Sequence, residues 1–345
     1  MKIKTTLKTA LLAIGLLLHF NLQAQDAPPI TIHVATAGTL SSLILPNKKF
    51  EITNLTITGN LNGTDIRYIR EMAGSDVRGN GTNGKLSILN LADAYIVSGG
   101  DYYVDYYSNI NYTANNSISD DMFYKCTRLK SVTIPSSVTK IGNYVFSFCT
   151  ELTKITIPNS VTKIGKSAFY GCKELTSIAI PNSVTEIGGN AFRDCARLTE
   201  ITIPDSIIEI GSSAFWDCLG LTSITIPNSV TLIGGYAFYG CSGLTEFTIP
   251  NKVTSIGSYA FYGCTGLTSI IIPNSVTSIE SYAFFRCTGL KKIYATNPVS
   301  PTCVSSAFNN VSKTDCILYV PIGSYSAYSK AEGWKDFKKI VEMKL

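Results

Sequence analysis

Histidine is almost missing from this chain: 2 in 345 residues, His19 and His33. Nucleophilic triads and most catalytic metal centres rely on imidazole as base or ligand. A chain that has only His33 beyond its first 24 residues therefore has little of that chemistry to draw on. No G-x-S-x-G, H-E-x-x-H or C-x-x-C occurs. The Gly-rich GNGTNG (residues 79–84) lacks the lysine and strand-to-helix setting of a phosphate cradle, so it reads as a loop. Charge is sparse as well, at 15% of residues, and no block of one sign is present. Basic residues number 29 against 24 acidic. Without Lys2, Lys4 and Lys8 of the leader the balance is 26 − 24, or +2. That gives no electrostatic footprint for nucleic acid or an anionic membrane surface. Nor is there an apolar run long enough to span a bilayer. These absences point away from an enzyme, a cofactor or a metal site.

The first 24 residues match a secretory signal. MKIKTTLK is basic, TALLAIGLLLHF apolar and NLQAQ a short polar end with Ala24 before the expected cut. The rival reading is an uncleaved anchor helix. No cysteine follows to carry a lipid. Export of the mature chain is expected, to the periplasm, the outer surface or the medium.

A period of 23 residues dominates the rest. Cysteines fall at Cys126, Cys149, Cys172, Cys195, Cys218, Cys241, Cys264 and Cys287, with a phenylalanine three residues before each. Prolines repeat from Pro135 to Pro273, and the glycine of an "IG" pair from Gly142 to Gly257 until Glu280 replaces it. Recurrence in this many columns marks a solenoid. In LTSITIP (residues 221–227) the alternation places Leu221, Ile224 and Ile226 inward, and β-branched residues favour a strand. Pro227 lacks an N–H and ends it. VTLIG is a second short extended segment with Val230 and Ile233 inward. YAFYGC is read as a turn of 3₁₀ or α helix placing Ala237, Phe238 and Cys241 inward. One unit cannot bury its own apolar face, so neighbours must stack. At about 4.8 Å per stacked strand, the seven full units extend roughly 34 Å.

The unit LxxIxIPxSVxxIGxxAFxxC resembles the BspA-type (treponemal-type) leucine-rich repeat, found in surface and secreted proteins of host-associated bacteria. It differs from the generic leucine-rich repeat, because serine stands where the Asn or Cys ladder residue would be. The flanking segments are similar to that family too. The resemblance implies a right-handed solenoid of parallel strands and short 3₁₀ or α turns, capped at both ends. It also implies adhesion-type binding to host matrix proteins or cell surfaces. The expected organisation is a signal peptide over 1–24, an N-terminal cap with irregular coils over 25–117, repeats over 118–294 and a C-terminal cap over 295–345. In the last, SYSAYSKAEGWKDF is expected to form a short helix placing Trp334 and Phe337 over the final coil.

The eight periodic cysteines should form one buried column of free thiols, small core fillers that resist alkylation until the chain unfolds. A linear column cannot converge on zinc. Cys303 and Cys316 lie outside the period and flank VSSAFNNVSKTD, and a disulfide closing that loop is expected. Function is then left to exposed columns. One sheet face carries Thr156, Thr202, Thr225 and Thr248, mostly hydroxyl. Beside the phenylalanines run Phe148, Tyr170, Arg193, Trp216, Tyr239, Tyr262 and Phe285. These aromatics are either a binding strip or a structural ladder. The candidate binding residues are thus Thr156, Thr202, Thr225, Thr248, Tyr170, Trp216, Tyr239 and Tyr262. The leading expectation is a non-enzymatic interaction protein with a protein or glycan partner. A glycan-binding module and a structural envelope component are the alternatives.

Overall fold

The computed structural model describes residues 28–106 and 109–344, so the expected signal peptide lies outside the described residues. The chain winds into a parallel β-solenoid of about 13 turns. Each repeat contributes three arms. A strand such as Lys154–Thr156 or Glu246–Thr248 forms the first, a two-residue strand such as Lys163–Ile164 or Ser255–Ile256 the second, and a run of turns the third. The strand ladders are parallel and in register at the repeat period, for example Ile155 on Val132 and Ile233 on Ile256.

The third arm is a series of turns rather than the expected helix. Tyr236 has φ 60° and Gly240 φ 70°, and the equivalent residues of the other repeats share this left-handed conformation. It turns alternate N–H groups towards the next coil. Tyr236, Phe238 and Gly240 donate to the carbonyls of Ser258, Ala260 and Tyr262 at 2.9, 2.7 and 2.7 Å. The third arm is thereby hydrogen-bonded between coils like the other two, which a continuous helix, bonding to itself, would forbid.

The inward residues make one core. The periodic phenylalanines Phe123 to Phe284 are fully buried and stack at centroid spacings of 5.3–5.6 Å. The periodic cysteines are free and fully buried. They are more than fillers, because from Cys149 onward each thiol donates to the carbonyl of the phenylalanine 26 residues earlier, as Cys264 does to Phe238 at 3.1 Å. The serine of the repeat takes the ladder role its position suggests: the Ser160, Ser183 and Ser229 hydroxyls donate to Val138, Val161 and Ile207 of the coil before.

At the N-terminal end the irregular segments join the same sheet. Strands Ile30–Val34, Asn54–Leu61 and Ile88–Asn90 pair in order and lead onto Ser131–Thr133. The helix Gly63–Met72, closed by an Asn62/Asp65 capping box, packs against an antiparallel hairpin, Gly99–Tyr106 with Asn109–Thr113. Arg70 of that helix is wholly buried. It donates to the carbonyls of Asp76, Asp121 and Met122, and so ties the helix to the turns where the regular repeats begin.

At the far end Ile317–Pro321 and Lys339–Met343 add two further rungs. The expected helix is short, Tyr325–Lys330, and the buried Trp334 and Phe337 follow it, 5.1 and 5.4 Å from the ring of Phe308. The expected disulfide is not formed. Cys303 and Cys316 are both free. Cys303 occupies the second ladder opposite Ile279, while Cys316 leads into the first-ladder strand Ile317–Pro321, so each thiol fills the core on its own arm.

Candidate functional site

Thr156, Thr202, Thr225 and Thr248 are all exposed, on the outer side of the first ladder. Register joins Thr202 to Thr225 directly and pairs Thr133 with Thr156, Ala179 with Thr202 and Thr248 with Ile271, while Thr156 and Thr248 each stand across a break from the middle pair. Exposed strands suit β-branched residues with a polar end, so local preference and display coincide here. Continuing the column, Ile271 faces Tyr294 and Tyr294 faces Tyr319, whose rings stack at 4.8 Å.

Tyr170, Trp216, Tyr239 and Tyr262 are not on this face. They line the third arm, half-buried. Trp216 lies 4.4 Å from Tyr239, and Tyr239 lies 4.5 Å from Tyr262 with the planes 2° apart. Beside it runs a second row, Tyr236, Tyr259 and Tyr282, spaced 4.7 and 5.0 Å. Arg193 caps the strip, 4.1 Å from the Trp216 ring. Burial is the largest influence pushing the Tyr239 phenol above its usual range. Sugars stack on ring faces, and these faces are already covered by the next ring or by Arg193, so the strip offers edges only. One residue read into this column belongs elsewhere. Ser147, not Phe148, follows Phe146. Its hydroxyl donates to Ser167 O, while Phe148, with φ 59°, reaches across Gly171 to pack 4.7 Å from Tyr170.

Two slots interrupt the ladders, and the sequence marks each with one exceptional residue. In the second ladder Ile208 replaces the threonine of the repeat. At Thr162, Thr185, Thr231 and Thr277 that hydroxyl donates to the coil before, as Thr185 does to Thr162 O. No strand pairing links Glu186–Ile187 to Glu209–Ile210, and a cavity of about 680 Å³ opens there, flanked by Glu186 and Glu209. In the first ladder Phe247 replaces isoleucine. Its ring is wedged edge-on between Phe238 and Phe261 at 5.0 and 4.8 Å. Residues 223–226 are not paired with Glu246–Thr248, and a cavity of about 380 Å³ lies between them. A further interruption, between Lys154–Thr156 and Ser177–Ala179, keeps isoleucine on both sides.

His33 lies exposed on the outermost strand, its ring hydrogen-bonded to the Thr58 hydroxyl at 2.9 Å. Among the described residues no His, Cys, Asp and Glu side chains group as a metal site, and no helix is long and apolar enough to cross a membrane.

This architecture defines the leucine-rich-repeat class. More narrowly, the BspA type leucine rich repeat region matches in 6 copies over residues 102–221 and 208–326, and the chain belongs to that family. It is similar to the crystal structure of a leucine-rich repeat protein from Bacteroides ovatus, with 26% identity, a TM-score of 0.51, and coverage of 70% of this chain and 67% of that one. It is also similar to a leucine rich cell surface protein from Faecalibacterium prausnitzii, with 26% identity, a TM-score of 0.44, and coverage of 88% and 86%. No curated protein matches the sequence.

Proposed function

We propose that this is an exported, non-enzymatic interaction protein that adheres to a host or matrix protein through the outer face of its first ladder. The observation that carries the reading is the exposure of Thr156, Thr202, Thr225 and Thr248 at one position of successive coils, with Thr202 bridged to Thr225. A repeat stack holds such a face in one shape, so a partner can be met without ordering loops. Family membership supports a protein-binding role. The test is binding of the mature protein to a panel of immobilised matrix proteins. Replacing Thr202 and Thr225 together by lysine should lower the affinity for the bound member at least tenfold, and Tyr262→Ala should leave it unchanged. Silence across the panel would favour a structural envelope component instead.

A further inference from the structure

The slot beneath Phe247 is a site of its own. In neighbouring repeats the corresponding inward residue is Ile155, Ile178, Ile201, Ile270 or Ile293, each buried. Overpacking a core position forces the backbone to move. The movement is visible in Ile224, the one isoleucine of this column between 155 and 293 that is only partly buried. The ladder is still closed at the edge of the gap, where Thr245 N–H donates to Thr222 O at 3.3 Å, and Glu246–Thr248 stays paired on its other side with Ser269–Ile271. In the gap the peptide groups of residues 223–226 that would face Glu246–Thr248 have no strand partner.

The gap is lined about equally by apolar side chains such as Ile224, Ile226 and Phe247 and by polar groups, the Thr225 and Thr248 hydroxyls, the Asn228 and Asn251 amides and the Glu246 carboxylate. Glu246 has no ion-pair partner among the described residues. The cavity of about 380 Å³ is at the small end of the roughly 300–1,000 Å³ usual for small-ligand sites. Its complement must both donate and accept hydrogen bonds in several directions, as the lining amides, hydroxyls and freed peptide groups do. An apolar side chain of a protein partner would strand those groups. A carboxylate or sulfate would meet Glu246, the one charged side chain in the lining.

We infer that this slot takes a single neutral sugar unit of a glycan, held by hydrogen bonds to the unzipped rung and its side chains rather than by ring stacking. The site stands on the broken rung and does not require the protein partner proposed above.

The experiment uses the mature full-length protein against an array of neutral oligosaccharides built of glucose, galactose, mannose and N-acetylglucosamine, with sialylated and sulfated glycans alongside, followed by calorimetry on any ligand found. Saturable binding of a neutral glycan is expected. Phe247→Ile restores the repeat's own residue and removes none of the polar lining groups. It should close the slot, lower affinity at least tenfold and leave the melting temperature unchanged or higher. Thr248→Val with Glu246→Gln, both on the surface, gives a second test and should weaken binding at least fivefold. Absence of neutral-glycan binding, preference for sulfated or sialylated glycans, or undiminished binding by Phe247→Ile overturns the inference. Protein binding that persists in Phe247→Ile without any glycan ligand overturns this site alone. Glycan binding with silence on the protein panel overturns only the other reading.

Discussion

Alkali should unzip this protein well before it touches an ordinary domain, because of the thiol column. Burial is the main cause holding the periodic thiols above the usual cysteine range: Cys126 rises to about 11, Cys287 to about 12, and Cys149, Cys172, Cys218 and Cys264 well above normal. Below the unfolded thiol pKa of about 8.5, folded and unfolded chains both keep the proton and nothing changes. Above it only the folded chain keeps it, so stability falls as pH rises. At about pH 9.5 each thiol removes about 1.4 kcal/mol, and eight together about 11 kcal/mol, comparable to the whole stability of a typical domain, about 5–15 kcal/mol. Lys313 opposes this. Burial lowers it to about 8, so it gains stability as pH rises towards its ordinary 10.5, but it is one group against the eight periodic thiols and Cys303 and Cys316, which burial also raises. Melting curves followed by circular dichroism in reductant, stepped from about pH 7.5 to 9.5, measure the effect. Replacing Cys195, Cys218, Cys241 and Cys264 by alanine should roughly halve the slope. A melting temperature that ignores pH over this span, or a slope unchanged in the four-alanine variant, would refute the reasoning.

The same structure makes other expectations. Arg70→Met leaves the buried Met122 carbonyl without its donor, while the Asp121 and Asp76 carbonyls keep the Tyr124 and Gly79 N–H groups, and should cost about 2 kcal/mol, read as a lowered urea midpoint. Ile208→Thr restores the hydroxyl that the second ladder lacks at its slot and should add about 1 kcal/mol, measured by the same titration. In the native protein iodoacetamide should modify Cys303 first, since it alone of the ten cysteines is not completely shielded, and the periodic thiols only on unfolding; mass-spectrometric mapping of the modified peptides decides this.

How much of this could be read beforehand depended on whether the feature repeats. Strand positions, the inward Leu221, Ile226, Phe238 and Cys241, and the burial of the thiols all follow from alternation and a 23-residue recurrence. The hairpin from Gly99 to Thr113 was out of reach, since nothing in its composition separates it from an irregular coil, and its partner is the helix Gly63–Met72, distant in sequence. The left-handed tyrosines at 236, 259 and 282 were also missed, because the chain adopts that conformation to bond the next coil, a cause that local preference does not register. The exposure of the threonine column was legible, while the breaks that divide it were not. The slots were present as two broken columns, Ile208 for threonine and Phe247 for isoleucine, but neither residue by itself says that a ladder parts. Only the parted strands show the effect.

Because the regular coils hand their hydrogen bonds to the next in the same register, the stack has no preferred length. Copying or dropping one 23-residue unit would leave each remaining interface as it was, with the same two ends closing the pile. Lineages carrying this gene should therefore differ between the two ends by whole multiples of that unit, through slippage in replication rather than by scattered insertions. The coils around Ile208 and Phe247 are the exception. A unit copied or lost there duplicates or erases a slot, so selection would be felt in those coils while the rest of the stack drifts in number.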